Sequence, residues 1–94
     1  MNKEEMIDKM ADAINKIKEE TNWGVIKDYT INIVANLETG NETELAAVLN
    51  CGTKFEYTEK VLKHWKEQLG ADEFRVKVNG TRLYITFVVY FKEE

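Results

Sequence analysis

Residues 74–91 read FRVKVNGTRLYITFVVYF, and this stretch gives the clearest structural signal in the chain. Apolar side chains occupy alternate positions on both sides of Asn79-Gly80, a pair typical of tight turns between antiparallel strands. The apolar positions are Phe74, Val76, Val78, Leu83, Ile85, Phe87, Val89 and Phe91. A two-residue turn predicts that residue 78 faces residue 81, and this register directs the apolar side chains of both strands to one face.

The other face of this predicted hairpin carries charged and aromatic side chains. They are Arg75, Lys77, Arg82, Tyr84 and Tyr90. The predicted register sets Arg75 opposite Tyr84, and it sets Lys77 opposite Arg82, where like charges repel mildly. Tyrosine and arginine are enriched at the energetic centres of protein interfaces. These five residues are therefore the candidate binding site.

A first helix is predicted to begin after Asn2, because Glu5 stands three residues later as in a capping box. Its apolar stripe consists of Ile7, Met10, Ala11, Ile14 and Ile17. The helix should end near Thr21–Asn22, and from Val25 the apolar period changes from that of a helix to that of a strand. The alternating positions of this strand are Tyr29, Ile31, Ile33, Ala35 and Leu37.

The stretch from Glu44 to Cys51 is compatible with two structures. Its apolar residues alternate as in a strand, but Thr43 and Gly52 would also cap a helix of two turns. We favour the strand, because the preceding strand needs a partner and residues 38–42 form a polar loop of ordinary hairpin length.

A second helix is predicted from about Lys54 to Leu69. Thr53 and Glu56 have the spacing of a capping box, and Gly70 lies where a glycine commonly ends a helix. The apolar positions at helical spacing are Phe55, Leu62, Trp65 and Leu69, with Val61 beside them.

The element order is thus α-β-β-α-β-β, which predicts one α+β domain over residues 1–94. The economical packing is a four-stranded antiparallel sheet with both helices on one face. The opposite face is then open to solvent or covered by a partner.

Few residues could support catalysis or metal binding. The chain contains no serine, one cysteine (Cys51) and one histidine (His64). A structural zinc site needs three or four ligands, which one cysteine and one histidine cannot supply. Acidic pairs such as Asp8 and Asp12 are typical of a solvated helix surface. We expect no catalytic residues, no metal and no cofactor, and hence a protein that is not an enzyme.

Composition and charge limit the possible cellular location of the protein and its possible partners. The net charge is −4, whereas phosphate contacts need a basic surface, so the charge disfavours general nucleic-acid binding. No apolar run reaches the length of a transmembrane helix, and the amphipathic N-terminus lacks a secretory signal, so we expect a cytoplasmic protein that does not bind membranes. The 44% of hydrophobic residues are typical of a folded chain.

Our leading hypothesis is a small, non-catalytic protein-binding module that acts through the open face of the sheet. Its size and composition are typical of inhibitors encoded by phages or mobile elements, including anti-CRISPR proteins. One alternative is a homodimer that buries the same face against its own copy. Another is single-stranded nucleic-acid binding, with tyrosines stacking on bases.

Overall fold

The computed structural model describes residues 2–21, 25–53 and 55–91. The elements are α1 (Lys3–Glu20), β1 (Ile26–Ala35), β2 (Glu42–Cys51), α2 (Glu59–Leu69), β3 (Glu73–Asn79) and β4 (Arg82–Tyr90). The predicted order is confirmed, and the ambiguous stretch before Cys51 is a strand.

The first helix begins as the sequence predicts. The side-chain oxygen of Asn2 accepts a hydrogen bond from the Glu5 N–H at 2.8 Å, and its amide donates to the Glu5 carboxylate at 3.1 Å. Met10, Ile14 and Ile17 are the buried residues of α1. Each fully buried side chain of this size contributes roughly 1.5–3 kcal/mol, so the apolar stripe fixes which face of α1 packs on the core.

The second helix begins later than predicted. It starts at Glu59 and is capped by Thr58, whose hydroxyl accepts from the Val61 N–H at 3.2 Å, not by Thr53. Lys54, the predicted first residue, lies outside the described residues. The helix ends at Leu69 as predicted, and Gly70 has a φ of 65° that favours glycine.

Tertiary contacts explain why the segment before α2 is not helical. The Tyr57 hydroxyl lies 2.6 Å from the Gly52 carbonyl oxygen and 3.1 Å from that of Val25, and it donates to them. The Phe55 and Tyr57 rings pack against Trp65 with centroid distances of 6.4 and 6.0 Å. These contacts hold the segment as a connection, although Phe55 also fits the apolar stripe of a longer helix.

The four strands form one antiparallel sheet in the order β1-β2-β4-β3. The turn between β1 and β2 is held by Asn36, whose side-chain oxygen accepts from the N–H groups of Glu38 and Thr39 at 2.8 and 3.2 Å. The pairing of β1 with β2 has two irregularities, next to Ile26 and next to Ala35. Strands β2 and β4 are central, and β1 and β3 are the edges.

The predicted register of the second hairpin is wrong by two residues. Asn79 pairs with Arg82, so the turn residues are Gly80 and Thr81. Only Gly80, with a φ of 63°, has a positive φ there, whereas a turn centred on Asn79-Gly80 would need positive φ at both residues. A shift by two keeps every side chain on its predicted face, because the strand period is two.

The new register changes the cross-strand partners of the candidate residues. Arg75 lies opposite Thr86 rather than Tyr84, and Lys77 lies opposite Tyr84 rather than Arg82. The predicted direct opposition of two cations is therefore absent from this hairpin.

The core lies between the helices and one face of the sheet, as predicted. Its sheet residues are Leu45, Ala47, Leu49, Cys51, Leu83, Ile85 and Phe87. They pack with the buried stripes of α1 and α2, including Ile14 and Trp65. The apolar side chains at the end of β3 lie on the same face but remain uncovered, with Val76 49% exposed and Val78 69% exposed.

Candidate functional site

The five candidate residues all lie on the sheet face that points away from the helices, which we call the open face. Strand alternation and pairing place these paired residues on it: Asp28, Thr30, Asn32, Val34, Glu44, Ala46, Val48, Asn50, Glu73, Arg75, Lys77, Asn79, Arg82, Tyr84, Thr86, Val88 and Tyr90. The candidates fall into two groups on this face, one at each end of the β3–β4 hairpin.

The first group lies around Glu73. Its carboxylate forms a salt bridge with Arg75, two residues along the same strand, and hydrogen bonding from the Tyr90 hydroxyl lowers the pKa of Glu73, as does Arg75. The same contact with Glu73 raises the pKa of Tyr90. Glu73 thus influences both candidates, through its salt bridge with Arg75 and through the raised pKa of Tyr90.

Beneath this group, two apolar side chains of the open face are buried. Val88 lies on this face but is only 1% exposed, and its neighbour Ala46 is 9% exposed. Val88 pairs with Glu73 on one side and with Ala46 on the other. Tyr90, Glu73 and Arg75 therefore lie next to a small apolar area formed by Val88 and Ala46.

Glu44 borders the same group on β2, directly opposite Tyr90. Its Oε2 atom is buried and has no hydrogen-bond partner among the described residues. A buried acceptor without a donor lowers stability, so a donor from solvent or from a bound molecule would be favourable at this position.

The second group lies toward the turn of the hairpin. Tyr84 is half-buried and lies between Lys77 on β3 and Asn50 on β2. A hydrogen bond with the Tyr84 hydroxyl raises the pKa of the Arg82 guanidinium, and Asp28 adds a weaker attraction. In the part of the chain that the structure describes, neither Lys77 nor Arg82 forms a salt bridge.

The open face is therefore mixed in charge rather than basic. Its cations Arg75, Lys77 and Arg82 are accompanied by the carboxylates Asp28, Glu44 and Glu73. The carboxylates gather toward the Tyr90 end, except for Asp28, whereas the cations without a salt bridge lie toward the turn. Such a surface suits recognition by complementary charge more than general attraction to phosphates.

Sequence reasoning missed the acidic members of this site. Glu73 could have been found, because it stands two positions before Arg75 and must share its face in a strand. Glu44 could not have been found, because its position opposite Tyr90 depends on the register between β2 and β4, two strands that are not joined directly by a turn. The burial of Val88 likewise depends on neighbours from other strands.

A groove of about 840 Å³ extends from the Tyr90 end of the open face to the start of α1. Its lining includes Asn2, Lys3, Met6, Asp72, Tyr90 and Phe91. The Lys3 ammonium lies 2.8 Å from the Glu42 carboxylate and 5.0 Å from the centre of the Phe91 ring. The Tyr90 N–H donates to Asp72 at 2.8 Å, so Lys3 and Asp72 already have partners within the protein.

The two residues that could have formed a nucleophile–base pair have different environments. Cys51 is 1% exposed in the core, and burial raises the pKa of its thiol to about 11, so it is a thiol at neutral pH. His64 is exposed on α2. The described residues contain no group of three or more Cys, His, Asp and Glu side chains that could hold a metal ion together.

Within the described ranges, neither helix combines the length and apolar character that crossing a bilayer requires. No protein-family model, curated protein or solved structure matches this chain. The candidate site therefore rests on the geometry of the open face.

Proposed function

We propose that this protein is a binding module that recognises another protein through the open face of its sheet. The observation that carries the proposal is the second group, where Lys77 and Arg82 flank the half-buried Tyr84 on the sheet face that points away from both described helices. Arginine and tyrosine contribute disproportionately to interface energies, and cations without intramolecular salt bridges are available to a partner.

A protein partner fits this face better than a nucleic acid does. The carboxylates Asp28, Glu44 and Glu73 lie on the same face as the cations and would repel a phosphate backbone that crosses it. Tyr90, one of the two tyrosines that could stack on bases, is engaged with Glu73.

We extend the proposal to inhibition, in which the module occupies a functional site on its partner in the cytoplasm. Small inhibitors encoded by phages or mobile elements, such as anti-CRISPR proteins, act in this way. The sheet face that neither of the described helices covers supports this extension. An activity assay of the captured partner, with and without the purified protein, tests it directly.

The binding proposal is tested by changing Arg82, Tyr84 and Tyr90 to alanine together. We expect this variant to lose the proteins that the wild type captures from its native host, because it removes the exposed anchors of the face. A matched control changes Lys60, His64 and Glu67 to alanine on the exposed side of α2 and should retain capture.

The readouts are quantitative mass spectrometry of the captured proteins and the melting temperature of each variant. Substitutions at exposed positions usually change stability by less than about 0.5 kcal/mol each, so the control should remain folded. The melting temperature shows whether the open-face variant, which also truncates the half-buried Tyr84, remains folded too. Undiminished capture by the folded open-face variant would contradict the proposal.

A further inference from the structure

Strand β3 presents a free edge on which another strand can pair. Among the described strands it pairs with β4 alone, and its register from Glu73 to Asn79 has no irregularity. Residues 75–79 are all exposed. Because hydrogen-bonding groups alternate along a strand, every second N–H and C=O of an edge strand points to solvent. The other edge, β1, has two irregularities that disturb such pairing.

The two faces of this edge differ in chemistry. On the helix side, Val76 is 49% exposed and Val78 is 69% exposed. On the open face the same strand carries Arg75 and Lys77. An incoming strand would therefore meet apolar side chains at one position and cations at the next.

We propose that the partner supplies an extended segment that adds to the edge of β3 and alternates acidic with apolar residues. This proposal rests on the proposed function and names the partner segment and its place. The apolar residues of the segment would cover Val76 and Val78, while its acidic residues would pair with Lys77 and compete with Glu73 for Arg75. Main-chain hydrogen bonds give affinity in this mode of recognition, and the alternate side chains give specificity.

Charge selects among possible strands at this edge. A lysine on an edge strand normally discourages pairing with other strands. Lys77 would repel a basic strand, and a neutral strand would offer no opposite charge to offset the desolvation of the lysine. An acidic residue opposite Lys77 would instead be attracted to it. The edge is thus protected against general aggregation and remains available to an acidic partner.

The same charges disfavour pairing with a second copy of the chain. A two-fold antiparallel pairing centred on Val76 would place Arg75 of each copy opposite Lys77 of the other. A pairing centred on Lys77 would place Lys77 opposite its own equivalent. A pairing centred on Arg75 would place Arg75 opposite its own equivalent, although it would also place Lys77 opposite Glu73. Like charges directly opposite each other are destabilising, so the registers centred on Val76 and on Lys77 are disfavoured, whereas the acidic segment of a different protein can face both cations.

The test uses two labelled peptides of nine residues, one alternating glutamate with valine and the other alternating lysine with valine. Fluorescence anisotropy at low salt should show saturable binding of the acidic peptide and none of the basic one. Amide hydrogen exchange should slow at alternate residues of β3 when the acidic peptide is bound, and it should not change along β1.

Two variants locate the contact. Lys77→Glu should weaken binding of the acidic peptide by about tenfold, because it replaces an attraction across strands by a repulsion. Val78→Thr should weaken it by a few-fold through lost apolar cover. Lys60→Glu on α2 makes the same charge change away from the edge and should leave the affinity unchanged.

Four results would overturn the proposal. The first two are that the acidic peptide does not saturate the protein at about 1 mM, or that both peptides bind equally well. The others are that an oligothymidine binds more tightly than the acidic peptide, or that sedimentation shows a dimer of the protein whose stability Lys77→Glu lowers or raises. If any of these occurs while the alanine variant of Arg82, Tyr84 and Tyr90 still loses capture, binding through the open face remains supported and binding at the edge of β3 is contradicted. If that variant retains capture, the proposed function itself fails.

Discussion

Cys51 and Tyr57 show how strongly a single buried position can change the chemistry of a side chain. Burial raises the pKa of the Cys51 thiol from its ordinary value of 9.0 to about 11, an effect that hydrogen bonding with Tyr57 partly offsets. The pKa of the Tyr57 hydroxyl is also raised, first by burial and then by the neighbouring thiol. Both groups therefore favour their protonated forms in the folded protein.

This environment predicts a loss of stability in alkali. Because the folded pKa of Cys51 is raised, its contribution to stability is fully present below about pH 9 and is lost as the pH rises through 11. A shift of two pKa units corresponds to about 2–3 kcal/mol. Urea unfolding between pH 8 and 11 measures this loss, and Cys51→Ala should reduce it. A native thiol that titrates near its ordinary pKa, followed by thiolate absorbance, would contradict the prediction.

At the scale of elements, the sequence predicted all six helices and strands but misplaced the start of α2. Two threonines, Thr53 and Thr58, precede an amphipathic stretch, and local spacing favours the first. The hydrogen bonds from Tyr57 to backbone carbonyls hold the preceding segment outside the helix, so the helix begins after Thr58. The contact with Val25 spans 32 residues of sequence, so no local pattern could reveal it.

The position of the cap gives an element-scale prediction. Thr58→Ala should lower the free energy of unfolding by about 1 kcal/mol, because the Val61 N–H loses its acceptor. Thr53→Ala should change it by less than about 0.5 kcal/mol, since Thr53 is exposed and lies outside the helix. Urea denaturation of the two variants compares these effects. An equal or larger loss for Thr53→Ala would place the cap where the sequence alone suggested.

At the scale of the whole molecule, the sheet order decides which apolar residues form the core. Phe87 and Val78 belong to the same predicted apolar face, yet Phe87 is 0% exposed on central β4 and Val78 is 69% exposed on the edge. Alternation predicted the face of each side chain, including the five candidate residues. Alternation could not predict which strands are central and which lie at the edges, because the sheet order is set by packing between the two hairpins.

This difference predicts unequal costs for substitutions within one hairpin. Phe87→Ala should cost about 3–5 kcal/mol by leaving a cavity, which is a large part of the stability of a typical domain. Val78→Ala should cost less than about 0.5 kcal/mol. Thermal unfolding followed by circular dichroism measures both. Similar losses for the two variants would indicate that the edge of β3 is covered in solution.

The central position of β4 also bears on the kinetics of folding. This strand comes last among the described strands, yet it pairs with both β2 and β3. The sheet cannot close until β4 meets β2, and closing the long loop between them costs conformational entropy before their contacts form. Substitutions at β2–β4 contacts should therefore slow folding, whereas changes to the Asn2 cap should mainly speed unfolding.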